Sequence, residues 1–326
     1  MPVTMRDVAK EAGVSIKTVS RVVNNQGEIT DSTRERVLAV IERLGYRPNL
    51  IARGLVTQRT YTIGLNIQDI TNPFFPEVAR GVQDMARAHN YNVFLCNSDD
   101  DPQEEIRTLQ TLADQSVDGI ISFPNRQSTV RLFAEENRPF VLINSDMKHP
   151  HVSQVMTNNF QGAKLAVDHL ATKGHTEIGM ITGQYLQESQ RVLGFEAGLK
   201  AHGLTITPSR FLSGMPKFER GIEATHQLLT EHPEISAIFT FNDLLAAGAI
   251  QACKKLGRRV PDDCAIIGFD DTQLASLIDP PLTSVRLPKY EIGQVAMQRL
   301  LEMLEHPDQD FPPIHLDVEL IVREST

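Results

Sequence analysis

SIKTVSRVVN, residues 15–24, is the stretch on which the reading of this chain turns. At about 100° per residue, a helix gathers Val19, Val22 and Val23 on one side and Ile16, Lys17, Ser20, Arg21 and Asn24 on the other. One face packs and the other is free to read a surface. Working outward, Thr4 followed by Asp7 predicts a capping box that opens a helix to about Glu11. Gly13 allows a tight turn, and Ser15 caps the second helix. A third helix begins at Thr30 or Asp31, carries Val37, Val40, Ile41 and Leu44 on one stripe, and stops at Gly45. That stripe is suited to cover the valine face of the second helix.

Charge is divided unevenly along the chain. Residues 1–60 hold ten Lys/Arg against six Asp/Glu, so they carry +4 of a net charge of −9, leaving −13 on the remainder. A basic head precedes an acidic body. Charges on a helix face are ordinarily just solvated, which is the simple account of Lys17 and Arg21. A short helix led in by Ala-Gly-Val-Ser on a basic three-helix unit has, in addition, the geometry to lie in a DNA major groove. The three cysteines, Cys96, Cys253 and Cys264, are widely spaced, which argues against a zinc knuckle or a disulfide framework and suits a reducing cytoplasm. The first twenty residues place Asp, Glu and Lys at helical spacing where a leader would be apolar, and no run reaches membrane-spanning length. The chain therefore reads as cytoplasmic.

TMRDVAKEAGVSIKTVSRVVN (4–24) followed by TRERVLAVIERLGYRPNLIARGL (33–55) resembles the DNA-binding head of the lactose-repressor (LacI/GalR) family. The resemblance implies that Ile16, Lys17 and Arg21 read base edges, while Ser15, Thr18, Ser20 and Asn24 hold phosphates or brace the helix; Thr4 joins this DNA-binding set. Lys and Arg can donate to guanine O6 and N7, and Ile16 can press on a thymine methyl. The following YRPNLIARGLVTQRT is too short to be a stable helix alone, and Gly54 weakens it further. In the family this segment resembles a hinge helix that forms only on the operator and pairs with its partner copy in the minor groove. Asn49, Ala52 and Leu55 fall in it, with Leu55 at the position of the wedging leucine, and an apolar wedge kinks DNA by roughly 20–90°.

From Tyr61 onward, strand-like runs alternate with helical ones: TIGLNIQ, a helix from about Phe75, NVFLCN, a helix from Pro102, DGIISF, a helix, PFVLIN and QVMT. After Asn159 come a helix, EIGMITG, helices from Glu188 and Phe218, AIFTFN, a helix, and AIIGFD. Such alternation predicts parallel sheets covered by helices on both faces. The expected fold class is α/β: an all-α three-helix head (helix-turn-helix) plus a two-lobed, periplasmic-binding-protein-like body with parallel sheets. The expected division is a head at 1–46, a hinge or linker at 47–60 and an effector-binding and dimerisation domain at 61–326. Within the last, lobe one takes about 61–157 and 289–316, and lobe two about 158–288 and 317–326. NSDDDPQEE (97–105) reads as a helix start, with Asp101 as N-cap, Pro102 at N1 and Glu104 and Glu105 near the positive end of the dipole. His149 and His151 lack a third ligand. No GxSxG, HExxH, Walker-type or GxGxxG motif occurs, so neither a metal, a cofactor nor a catalytic site is expected.

The body, too, resembles its counterpart in this family, through ITNPFF (70–75), QRVLGFEAGL (190–199), FTFNDLLAAGA (239–249) and IIGFDD (266–271). Ligands of open parallel sheets bind beyond the carboxyl ends of strands, where Asn242 and Asp270 stand. By resemblance Arg191 is the cleft arginine, able with Asn242 and Asp270 to clamp adjacent hydroxyls. Phe74 is placed either to stack on a ligand or to fill the core, and Ser122 and Asn144 complete the expected effector set. Pro216 stands at or near a site that is often aromatic, Asn144 where Asp is frequent, and Leu287 where another member is polar; there is no Trp. These departures point away from a lactose-like effector and leave a pentose, another small sugar, a sugar phosphate or a purine.

The expected function is a ligand-controlled transcription repressor acting as a homodimer on pseudo-palindromic operator DNA, with inducer or corepressor control left open. A sugar-binding transport component leaves the basic head unexplained, and a Rossmann-like enzyme lacks its motifs. No heptad segment follows HLDVELIV (315–322), so a coiled-coil tail that would pair dimers is not expected.

Overall fold

The computed structural model describes residues 3–23, 27–46, 59–124, 138–145, 147, 149–183 and 189–326. Two units are distinguished by contact density, Met1–Thr60 and Tyr61–Thr326. In the first, α1 (Met5–Ala12), α2 (Ile16–Val23) and α3 (Asp31–Leu44) form the head. The Thr4 hydroxyl accepts from the Asp7 amide at 3.3 Å, and the Asp7 carboxylate accepts from the Thr4 amide at 2.9 Å, the reciprocal box read from the sequence. Gly13 and Gly45 close α1 and α3 at φ +63°, a region that only glycine enters freely. Val8, Val19, Val22, Val37 and Val40 meet in a core of small side chains, which lets three short helices approach closely.

The second unit contains two six-stranded sheets. The first runs in the order β11-β5-β4-β3-β1-β2, with β1 (Thr62–Ile67), β2 (Asn92–Asn97), β3 (Gly119–Ser122), β4 (Phe140–Ile143), β5 (Val152–Thr157) and β11 (Ile314–Leu316), all parallel. The second runs β12-β10-β9-β8-β6-β7, with β6 (Ile178–Thr182), β7 (Phe211–Ser213), β8 (Ala237–Thr240), β9 (Ala265–Asp270), β10 (Thr283–Arg286) and β12 (Glu319–Ile321). Here the parallel expectation needs one correction, because β12 pairs antiparallel to β10. HLDVELIV, one strand-like run in the sequence, is divided: β11 closes an edge of the first sheet and β12 an edge of the second. At three residues, β7 is too short for a pattern to announce it, and β10 (Thr283–Arg286) was likewise not among the expected strands. Central strands such as β9 are buried along their whole length, as parallel strands covered on both faces must be.

In the first lobe, α4 (Phe74–Ala88), α5 (Pro102–Asp114) and α11 (Lys289–Glu305) cover the sheet. The first of these starts at Phe74, one residue before the position expected. In the second lobe the cover is α6 (Asn159–Thr172), α7 (Gln190–Ala201), α8 (Phe218–Glu231), α9 (Asp243–Lys255) and the short α10 (Gln273–Leu277). The helix expected between DGIISF and PFVLIN falls at 125–137, and Glu188, the expected start of α7, is likewise outside the described residues. Asp101 caps α5, accepting from the Gln103 amide at 2.7 Å, as NSDDDPQEE predicts. Three helix pairs meet at glycines. A Cβ on Gly81 would collide with the Tyr290 carbonyl, one on Gly293 with the Val78 carbonyl, one on Gly248 with the Phe218 carbonyl and one on Gly194 with the Phe160 carbonyl. Backbone lies against backbone there. The chain passes between lobes three times, at β5 to α6, β10 to α11 and β11 to β12, and every crossing lies beside the carboxyl end of a strand or the start of a helix.

Candidate functional site

Burial sorts the α2 face as its periodicity predicts. Val19 and Val22 are buried, whereas Ile16, at 44% exposed, stands out with Lys17 and Arg21. Of the other DNA-site candidates, Ser15 caps α2, its hydroxyl accepting from the Thr18 amide at 3.1 Å and lying 2.9 Å from the Thr18 hydroxyl. Ser20 is half-buried, and Thr4 is committed to its capping box. Asn24, Asn49, Ala52 and Leu55, with residues 47–58 of the expected hinge, lie outside the described residues.

In the body, a cavity of about 270 Å³ opens between the carboxyl ends of the two sheets. The first lobe contributes Asp69, Asn72, Phe74, Phe75, Asp100 and Phe123, and the second contributes Arg191, Pro216, Phe241, Asn242 and Asp270. Phe74, Phe75 and Phe123 meet edge to face with centroids 5.1–5.8 Å apart, so Phe74 both lines the cavity and belongs to the core. Arg191 is held between the Phe241 and Phe269 rings, at 4.3 and 3.8 Å from their centroids. Its Nε donates to Asn159 Oδ1 at 3.1 Å, Nη1 donates to the Phe241 carbonyl, and Nη2 reaches Asp270 Oδ1 at 3.4 Å. Two of its five N–H groups remain for a ligand.

Asn144, at φ +54°, accepts from both the amide and the hydroxyl of Thr157, at 2.8 and 2.9 Å. Asn159 Nδ2 donates to the same hydroxyl at 3.0 Å. One hydrogen-bonded line thus runs from Asn144 in the first lobe through Thr157 and Asn159 to Arg191 and Asp270 in the second. Asn242 is largely occupied: it caps α9 by accepting from the Leu245 amide at 2.9 Å and donates to the Pro216 carbonyl at 3.1 Å. It keeps one N–H and one lone pair for a ligand. Ser122 is not brought to the cavity. It is fully buried at the end of β3, where its hydroxyl accepts from Asn66 Nδ2 at 3.1 Å. Sequence reading missed Asp69, Asp100 and Asn159, yet each follows within a few residues of a strand terminus. Inspecting every strand's carboxyl end would have found them.

A buried charge cluster backs the cavity. Asp243, at the start of α9, accepts from the Thr272 amide (2.6 Å), the Thr272 hydroxyl (2.9 Å) and the Ser284 hydroxyl (2.6 Å). Burial, and then the neighbouring Asp270, push its carboxyl up to about 7. Burial likewise lifts Asp270 to about 6, against the opposing pull of Arg191 and Lys289. Burial draws Arg191 below the ordinary guanidinium range, opposed by both aspartates. Because both folded-state carboxyl values lie above the unfolded 3.8, the stability tied to protonation is fully present below about pH 4 and is lost as pH rises through 6 to 7. Thermal melts of the full chain should show stability falling over that window. Asp243→Asn should flatten the fall, and an unchanged profile would show that Asp243 does not titrate there. Asp100, at the cavity's other wall, is also raised, first by burial and then by Asp69.

Among the described residues no group of three His, Cys, Asp or Glu is placed to hold a metal ion, and no helix is long and apolar enough to cross a membrane.

Residues 4–49 match the family model for bacterial regulatory proteins of the lacI family, and residues 167–326 match that for a periplasmic binding protein-like domain. Catabolite control protein A of Priestia megaterium is 38% identical over 331 residues, covering all of both chains. The lac repressor dimer bound to operator and the anti-inducer ONPF superposes with a TM-score of 0.88 at 27% identity, over 100% of this chain and 99% of that one. A LacI-family regulator from Enterococcus faecium with bound ribose gives 0.73 at 28% identity, over 81% of this chain and 98% of the other.

Proposed function

The chain belongs to the lacI family of bacterial regulatory proteins, and from that premise we propose how its residues divide the work. It is a sequence-specific DNA-binding transcriptional repressor whose operator affinity is controlled by a small molecule, and it acts as a homodimer. We assign base reading to Ile16, Lys17 and Arg21 and phosphate contacts to the hydroxyls around them. The observation that carries this is the exposed Ile16-Lys17-Arg21 row on a helix whose opposite face packs Val19 and Val22 into the core. The hinge at 47–60, with Leu55 as wedge, is assigned on the same premise. Full-length relatives are regulators, and we read this chain too as a binder and not an enzyme, at work in the cytoplasm where its operator lies.

Selection from a random DNA pool tests the assignment. The native chain should return a palindromic consensus, and Lys17→Ala should relax one symmetric pair of positions, at a cost of about 1–3 kcal/mol on the preferred base. An unchanged consensus would remove Lys17 from the reading set. Affinity for the selected duplex should also fall steeply with salt, since a basic head on each protomer displaces counterions from several phosphates.

For the effector, the cavity offers carboxylate acceptors on both walls, Asp69, Asp100 and Asp270, together with aromatic faces and one largely committed arginine. Carboxylates accept from hydroxyls and repel phosphate. We therefore assign a neutral, hydroxyl-rich ligand of sugar size, bound through Phe74, Asn144, Arg191, Asn242 and Asp270. Calorimetric titration with D-ribose, cellobiose and D-ribose 5-phosphate should rank the neutral sugars above the phosphate ester. Preferential binding of the ester would overturn the charge argument.

A further inference from the structure

Lys289 opens α11 just after the chain crosses from β10 into the first lobe, and its side chain is only 6% exposed. Nζ donates to the carbonyl oxygens of Asp270 and Asp271, at 2.8 and 2.7 Å, and lies 3.8 Å from the Glu77 carboxylate. Three donors thus face three oxygens, the condition under which a buried ammonium is tolerated. What it holds is unusual. Asp270 and Asp271 follow one another at φ +98° and +49°, a backbone region that side chains larger than glycine's occupy only where the surroundings impose it. Asp271 is anchored as well by Arg286 at 2.7 Å and Arg323 at 2.6 Å. The bend directs the Asp270 carboxylate into the cavity and toward Arg191. On the other side, Glu77 stands in the first turn of α4, whose Phe74 and Phe75 line the opposite wall.

We propose that Lys289 is the positioning residue that couples lobe arrangement to the effector cavity. Reaching from a first-lobe helix, it fixes the backbone bend that aims Asp270 in the second, while its pairing with Glu77 ties that bend to the helix carrying Phe74 and Phe75. A change in lobe arrangement re-aims Asp270, and a ligand held by Asp270 biases the lobes in return, since coupling between two sites is reciprocal. The inference rests on the regulator reading above, because the state that senses the lobes is the one that binds DNA.

Deuterium exchange at Asp271 and Thr272 reports the bend directly, since their amides donate to Ser284 Oγ and to the Asp243 carboxylate. The probe is the duplex that the native full-length chain selects from a random pool. With native protein, adding the duplex should change exchange in this segment by about tenfold. Lys289→Met should exchange fast with or without duplex, the ratio shrinking below about twofold, while duplex affinity at saturation survives. Lys289→Arg should restore most of the ratio, and Glu77→Gln, changed at a half-exposed site, should reduce it. A lysine that merely staples the fold would speed exchange equally in both states and leave the ratio intact, which would overturn the proposal. If Lys289→Met does not fold, an unchanged ratio in Glu77→Gln overturns it equally. A native chain that selects no duplex would instead remove the regulator reading, and the inference with it.

Discussion

An Arg191→Ala chain is expected to lose its response to the effector entirely and to unfold with about 3–5 kcal/mol less stability. Both effects have one origin. The guanidinium is buried between two rings and interacts with two buried carboxylates, Asp270 and Asp243. Removing it leaves Asp270 facing the cavity without its partner and cuts the hydrogen-bonded line from Asn144 at Asn159. If the ligand is an inducer, the variant should still bind operator when unliganded and should no longer be released by the sugar that releases the native chain. If it is a corepressor, the variant should fail to bind operator even with that sugar present. Operator titration with and without the sugar, alongside chemical denaturation, measures both effects. Native sugar affinity in the variant would withdraw Arg191 from the site.

Gly293→Ala should reverse the sign that helix propensity assigns to it. In an open helix interior this change stabilises by about 1 kcal/mol. In α11 the new methyl would sit against the Val78 carbonyl and the Val82 amide of α4, backbone atoms that have no rotamer into which to retreat. The two helices must separate along their length, costing about 3 kcal/mol or more. Urea denaturation of the full chain gives the number. A stabilised Gly293→Ala chain would mean that the α4–α11 approach is looser than described.

Such glycines mark where sequence reading runs out. Gly81 and Gly293 interrupt helices whose apolar stripes are otherwise plain, and a single sequence offers no sign that each faces a backbone from a segment two hundred residues away. The head was legible almost residue by residue because its determinants are local: a capping box within four residues, a turn glycine, three valines at helical spacing. In the body the alternation of strands and helices was legible for the same reason. Asp270, Arg191 and Asn242 were found through their place at strand ends and through resemblance. Asp69, Asp100 and Asn159 stand two or three residues past the same kind of strand end and were legible by that rule, whereas Lys289 was not, since what makes it important is whom it meets. Ser122 shows the converse, a strand-end residue whose side chain turns into the layer beneath the cavity.

The division of HLDVELIV between two sheets bears on how the protein is made. Residues 314–316 complete the edge of one sheet and residues 319–321 the edge of the other, and α11, which covers the first sheet, spans 289–305. A ribosome delivers the head early, and a three-helix unit of local contacts can fold as it emerges. Neither lobe has that freedom. The strands of the first wait, half covered, until the whole second lobe has been synthesised, and both sheets are then finished within eight residues of each other. During synthesis the nascent body is an open intermediate whose two halves are completed together.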